Sequence, residues 1–247
     1  MEFSFISDCG LKRENNEDYG YAKVFNYNNN DVGIFIVADG MGGHSKGEVA
    51  SKMAVEIIGD HLNEKLSTDL ADIFDIRLLL QEAFYNTNAA VYSKSIEEPD
   101  LRGMGTTLIA AVIYNDELFV GNIGDSRAYV LQENKLSQIT VDNSYVQELV
   151  KSGAIKPEEA KNHPKKNIIT RAVGTDEYVK TDIYNQKLNS GDWLVLCSDG
   201  LTNMLEDNAI ENILISSHDA KDCCGRLVSA ANAGGGTDNI TSVCVIL

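Results

Sequence analysis

Four apolar runs in this sequence end or begin at an aspartate flanked by small residues. Gly33-Ile-Phe-Ile-Val-Ala38 runs into Asp39-Gly40, and 117–123 runs into Gly124-Asp125-Ser126. Trp193-Leu-Val-Leu-Cys197 runs into Ser198-Asp199-Gly200, and Asp238-Asn239 opens the apolar stretch 240–247. A buried strand fixes the direction of the side chain at its end, and an adjacent glycine lets a backbone carbonyl approach a ligand closely. Singly, each aspartate also reads as a turn cap. Together, they can converge on one point only if positive charge offsets them, because unpaired buried carboxylates are too costly. Hard, oxygen-seeking cations meet that need, and the absence of a Cys/His ligand set favours Mg²⁺ or Mn²⁺ over Zn²⁺.

The rest of the pattern is α+β. Residues 3–8 and 19–26 read as strands, and 33–38 as a strand buried on both faces that ends in a loop at Asp39–Gly43. A helix is expected from Lys46 to Leu66, with Val49, Ala50, Met53, Ala54, Ile57, Ile58 and Leu62 on one stripe, and a second over 72–96. Strands 106–114 and 117–123 join at Asn115-Asp116, and 127–132 and 136–140 join around Glu133-Asn134-Lys135. Residues 143–177 are polar, with short helical pieces. Strands 179–185, 192–197 and 240–247 and helices 206–216 and 219–232 complete the chain. Strands that are neighbours in sequence argue for antiparallel sheets, and long helices at both ends argue for helix layers outside a β-sandwich. No linker composition divides residues 1–247, which read as one domain.

A formal net charge of −16, from 37 acidic and 21 basic residues, opposes nucleic-acid binding. It is ordinary for a soluble protein, and cation-holding carboxylates would add to it. The five cysteines form no C-x-x-C pair, which argues against a zinc ribbon or a thioredoxin-type site. The N-terminus does not read as a signal peptide, and no apolar stretch reaches the ~20 residues of a membrane span. The expectation is a cytoplasmic monomer that binds neither nucleic acid nor membrane.

Between the first two strands, Asp8-Cys-Gly10-Leu-Lys-Arg13-Glu-Asn-Asn16-Glu17-Asp18 sets Arg13 among acids, either as a structural ion pair or as a fork aimed at a phosphate. With this segment the chain resembles the protein phosphatase type 2C (PPM) family, especially its bacterial members. The further pieces, in order, are Val37-Ala-Asp39-Gly40-Met-Gly-Gly-His44, Gly105-Thr106-Thr107 and Gly121-Asn-Ile-Gly-Asp125-Ser126-Arg127. Thr170-Arg171-Ala172-Val173-Gly174, Ser198-Asp199-Gly200 and Thr237-Asp238-Asn239-Ile240-Thr241 follow. The resemblance implies an α-β-β-α sandwich of two antiparallel sheets flanked by helix pairs, with metals in a cleft at one end. It implies hydrolysis of phosphoserine and phosphothreonine on proteins by a hydroxide bound at a binuclear Mg²⁺/Mn²⁺ centre, reversing the action of a serine/threonine protein kinase. By the same resemblance, Asp39 bridges two ions, the Gly40 carbonyl binds one, and Asp199 and Asp238 complete the other. Asp125 recruits a third, weaker ion, and Arg13 holds the substrate phosphate. Glu17 and Asp18 order waters, with His44 and Asn239 in supporting positions, and 143–177 is a flap.

Two departures stand out. Eukaryotic relatives often place His directly after the Asp-Gly pair, where this chain has Met41, which leaves a metal-bound water or His44 to protonate the leaving group. Some also carry an acid where this chain has Asn203, so the third site is expected to be weaker. Other chemistries fail on spacing. Arg does not stand six residues after any cysteine, Gly42-x-x-x-x-Gly47 is followed by Glu48 rather than Lys, and no Gly-x-Ser-x-Gly elbow is present. A phosphoprotein-binding module without turnover would show loss of the metal ligands, yet Asp39, Asp199 and Asp238 are all present.

Overall fold

The structure is a computed structural model that describes residues 1–42, 46–68 and 75–247. In chain order, β1 (Glu2–Asp8), β2 (Asp18–Tyr27) and β3 (Asn30–Met41) precede α1 (Lys46–Thr68) and α2 (Ile76–Glu97). The strands β4 (Gly105–Thr106), β5 (Leu108–Tyr114), β6 (Glu117–Ile123), β7 (Arg127–Gln132) and β8 (Lys135–Gln138) follow. Next come α3 (Tyr145–Lys151), α4 (Pro157–Ala160), β9 (Asp182–Lys187), β10 (Trp193–Cys197) and α5 (Asp199–Thr202). Helices α6 (Asp207–Ser216) and α7 (Ala220–Ala233) and strand β11 (Ile240–Ile246) end the chain.

The strands form two antiparallel sheets, ordered β1-β11-β10-β7-β8 and β2-β3-β5-β6-β9, with β4 pairing β3 at one end. Alternation along β3 explains the unbroken apolar run. Ile34, Ile36 and Ala38 face α1 and α2, while Phe35 and Val37 face the other sheet. Val130, Leu194, Leu196, Val243 and Val245 meet them across the sandwich. On the far side, Tyr129, Trp193, Val195 and Cys197 pack against Ile210, Leu214, Cys223 and Leu227 of α6 and α7. The result is the helix–sheet–sheet–helix layering anticipated from the sequence.

Three hairpins turn on two residues each with positive φ: Asn28-Asn29, Asn115-Asp116 and Glu133-Asn134. That geometry matches the right-handed twist of the flanking strands, and Asn and Asp tolerate it best. Several boundaries differ from the sequence reading. β3 continues through Gly40 and Met41, expected as loop, because Thr106 and Gly105 pair with them. α2 starts at Ile76, where the Asp75 side chain accepts the Arg77 N–H. The expected start at 72 falls on residues outside those described. The strand expected at 179–185 runs from Asp182 to Lys187, in register with β6. The hairpin strand expected at 136–140 ends at Gln138. Asp199, read as the acid at the end of the 193–197 run, also opens the short helix α5.

The start of α1 is pressed against the end of β3 at two glycines. A Cβ on Gly47 would stand 2.7 Å from the Gly40 carbonyl carbon, and one on Gly40 would stand 2.1 Å from the Gly47 oxygen. Both obstructions are backbone, so neither can rotate away. Gly47→Ala is expected to destabilise the fold by about 1–3 kcal/mol through overpacking, read as a lower urea midpoint. An unchanged midpoint would show that this contact does not fix the end of β3.

Candidate metal centre

The site straddles the seam between the sheets. Asp39 follows Phe35 and Val37 in the two-residue repeat, so it lies on the inner face of β3, where the hydrophobic filling ends. Asp18, across the ladder from Asp39, comes from β2. Asp199 follows β10, and Asp238 precedes β11, both in the other sheet. Asp125 lies in the link where the chain leaves β6 in one sheet for β7 in the other. Gly124 makes that crossing possible. Its φ is +111°, and a Cβ there would meet the Thr107 Cβ at 2.6 Å.

Together these elements open a cleft of about 310 Å³ lined by Arg13, Glu17, Asp39, Gly40, Met41, Asp125, Asp199 and Asp238. Asp18 and Asn239 lie behind that lining and are almost fully buried. His44 lies outside the described residues. Thr107, Asn167 and Ile169 also line the cleft, and the sequence reading assigned them no role. Thr107 Oγ1 accepts the Asp39 N–H at 2.9 Å, and the Thr107 N–H donates to the Asp39 carbonyl at 2.9 Å. Only the Gly-Thr-Thr motif beside the strand hinted at this.

Electrostatics is the dominant feature. Burial, with Asp18, Asp199, Asp125 and Asp238 adding repulsion, pushes the Asp39 carboxyl well above the usual range. Burial raises Asp18 to about 7 against the hydrogen bonds of Thr241 and Ser198, and it raises Asp125 to about 7 with Asp199 adding to the shift. Asp199 is raised by burial and by Asp238. Arg13 Nη2 lies 2.9 Å from Asp238 Oδ2. Burial disfavours the Arg13 charge, but Asp238 outweighs it and holds the guanidinium pKa up.

The residues fit hard divalent cations. Asp18 Oδ1 and Asp199 Oδ1 are buried without a hydrogen-bond partner, so acceptor capacity is left over where negative charge is densest. The metal-ligating groups lining the cleft among the described residues are carboxylate and carbonyl oxygens, with no Cys or His. Among the described residues, no three His, Cys, Asp or Glu side chains are spaced as a complete cage.

A family profile described as protein phosphatase 2C matches residues 12–230. The chain belongs to the protein phosphatase 2C family. It is 42% identical over 245 residues to the serine/threonine phosphatase stp of Listeria monocytogenes serotype 4b (strain F2365), covering 99% of this chain and 95% of that protein. It is 39% identical over 243 residues to the protein phosphatase PhpP of Streptococcus pneumoniae, covering 98% and 95%. Among solved structures, the serine/threonine phosphatase PstP/Ppp of Mycobacterium tuberculosis matches with a TM-score of 0.88 at 37% identity, over 99% of this chain and 97% of that one. The catalytic domain of PstP in complex with two manganese ions matches with a TM-score of 0.84 at 36% identity, over 98% and 96%. This chain is thus an enzyme, a phosphatase of the hydrolase class.

In this phosphatase the Arg13 segment is tied to the Asp238 loop. Asn239 Oδ1 accepts the Glu17 N–H at 2.8 Å, and its Nδ2 donates to the Cys9 and Asn15 carbonyls at 2.9 Å each. Asp18 is tied across the seam by Ser198 Oγ, which donates to Asp18 Oδ2 at 2.7 Å. Asn203, standing where some relatives have an acid, donates to Asp199 Oδ2 at 2.9 Å. Beneath Asp125, the mostly buried Arg127 is held by Asp142 through Nε and Nη2, at 2.9 and 2.7 Å, and donates Nη1 to Tyr129 Oη at 2.9 Å. Tyr129 Oη in turn donates to Asp207 Oδ1 at the start of α6.

Two outcomes follow. Asp18 and Asp125 have folded values near 7 against about 4 in the unfolded chain. In EDTA, the folded state therefore binds more protons between about pH 4 and pH 7. The stabilisation is full below that window and is lost as pH rises through 7. Mn²⁺ should remove this slope, so the gap between melting temperatures with Mn²⁺ and with EDTA should widen from pH 5 to pH 8. Parallel curves would contradict the placement of these acids. Separately, Asn239→Ala leaves three backbone groups unpaired and should cost about 1–3 kcal/mol, with faster proteolysis between residues 9 and 17. Unchanged cleavage there would show that the segment is held by other contacts.

Proposed function

We propose that this phosphatase hydrolyses phosphoserine and phosphothreonine on proteins with the help of two divalent cations, Mn²⁺ or Mg²⁺. The observation that carries the reading is the convergence of Asp39, Asp125, Asp199 and Asp238 on one open cleft with Arg13 at its rim. Asp39, with the Gly40 carbonyl, and Asp199 with Asp238 would hold the two ions, and Asp125 a third. When bound, the cations supply an activated water and neutralise charge on the phosphoryl oxygens.

The chain's own residues account for the remaining steps. Arg13 is half exposed and spends one donor on Asp238, so its other N–H groups are free to fork onto the substrate phosphate. Glu17, on the cleft wall, and Asp18 behind it would orient water by accepting hydrogen bonds. Attack on phosphorus in line breaks the bond to the serine or threonine oxygen, which then needs a proton. Met41 lines the cleft where eukaryotic relatives often have His, and a thioether cannot donate that proton. Cleft water supplies it in this scheme, with His44 as the nearest candidate in sequence.

Residues 143–177 act as a flap within a single phosphatase domain. Both of its roots are tied to strand ends that carry the acids. The Asn143 N–H donates to the Gly124 carbonyl at 2.8 Å, and Thr106 and Val173 exchange backbone bonds at 3.0 and 2.9 Å. Asn167 and Ile169 reach the cleft, and Lys161 pairs with Glu206 beyond α5. A second cavity of about 460 Å³ between this segment and α5–α6 adjoins Asp125 and Asp199, and suits the chain flanking the phosphorylated residue. Reversal of a serine/threonine protein kinase is the matching role. Five unpaired thiols suit a reducing cytoplasm, and among the described residues no helix is long and apolar enough to cross a membrane.

A phosphothreonine peptide should be hydrolysed with Mn²⁺ or Mg²⁺ and not with EDTA. Asp199→Asn should lower kcat/KM by about 10²-fold or more, and Arg13→Ala should raise KM more than it lowers kcat. Turnover in EDTA, or full activity of Asp199→Asn at limiting Mn²⁺, would overturn the reading.

A further inference from the structure

Helix α2 carries a second apolar stripe on the side turned away from the core. At 100° per residue, Leu78, Tyr85 and Ile96 fall within about 20° of one line along the helix, and they are 59%, 57% and 61% exposed. Ala89 and the half-buried Tyr92 lie between Tyr85 and Ile96, and the exposed Gln81 and Glu82 lie between Leu78 and Tyr85. The core-facing residues Ile76, Leu80, Ala83, Thr87 and Val91 lie on the opposite side. The outer stripe is about 27 Å long. Three large exposed apolar side chains thus line up on the face of α2 opposite its buried one, a candidate docking surface.

The stripe has a fixed wall. The Asn88 amide donates to the carbonyls of Asp176 and Glu177 at 3.0 and 3.2 Å, and its oxygen accepts the Gly174 N–H at 2.9 Å. This clamps residues 174–177 to α2, and the next residue, Tyr178, is 70% exposed. The rim is acidic on both sides, with Glu82 and Glu97 on the helix and Asp176 and Glu177 on the loop. The cations of α2 are already engaged, Arg77 by Asp75 and Lys94 by Glu98.

We propose that the outer face of α2 docks a cationic amphipathic helix of a partner protein. The apolar stripe matches residues at three- and four-residue spacing, and the acidic rim matches Lys and Arg at the edges of such a helix. A second copy of this chain would bring the same acidic rim and a net charge of −16 against it. Anionic lipid is repelled for the same reason. None of these residues lines the catalytic cleft, so the inference is independent of the catalytic reading.

The probe is a fluorescent 18-residue leucine–lysine peptide that forms an amphipathic helix, compared with a scrambled peptide of identical composition. By fluorescence anisotropy, the helical peptide should bind at least tenfold more tightly. Leu78→Gln/Tyr85→Gln/Ile96→Gln should remove that preference at unchanged charge, with metal-dependent turnover and melting temperature retained. Glu82→Lys/Glu177→Lys should weaken binding at least tenfold and reduce its salt dependence. Equal binding of the two peptides, or full binding by the triple variant, would overturn the proposal. So would a dimer in sedimentation that the triple variant dissolves, since the occupant would then be a second copy.

Discussion

Everything at the working end of this molecule answers to one repulsion. Asp18, Asp39, Asp125 and Asp199 stand close enough to raise one another's pKa, in a place where water reaches them poorly. Such an arrangement survives only because the supporting frame is stiff. Every residue of β3 from Ile34 to Ala38 is fully buried, and backbone pairs flank it on both sides. The frame holds the acids together against their repulsion, at a cost in stability.

The two sheets divide the work. One contributes Asp18 and Asp39, the other frames Asp199 and Asp238, and Asp125 sits on the crossing between them. The site is therefore sensitive to the relative position of the sheets, and polar ties across the seam hold that position. Ser198 bonds Asp18 and Asn239 gathers the Arg13 segment, while Ser7 bonds Thr241 at 2.8 Å within one sheet. Helices α6 and α7 brace the second sheet as α1 and α2 brace the first. The acids are thus presented by the two braced layers.

Much of this was legible from the chain. Apolar runs joined at Asn115-Asp116 and around Glu133-Asn134-Lys135 specified antiparallel hairpins, and the second turns on Glu133-Asn134 because Lys135 already pairs with Gln132. Apolar runs ending in Asp marked the site, because a strand end fixes where a side chain points. The misreadings have a common cause. Gly40 and Met41 read as loop since glycine is a poor strand former, yet a two-residue partner strand from 65 residues away captured them. The helix turn at Asp199 was invisible because four residues are too few to show a period.

Local chemistry therefore determined the layer architecture, the hairpins and the identity of the acids, since each depends on neighbours within a few positions. Tertiary structure alone decided how near the acids come to one another, which of them lose water, and that Thr107, Asn167 and Ile169 join them. It also decided that α2 leaves Leu78, Tyr85 and Ile96 in solvent. Desolvation and charge repulsion act through space, over separations that the order of residues does not encode.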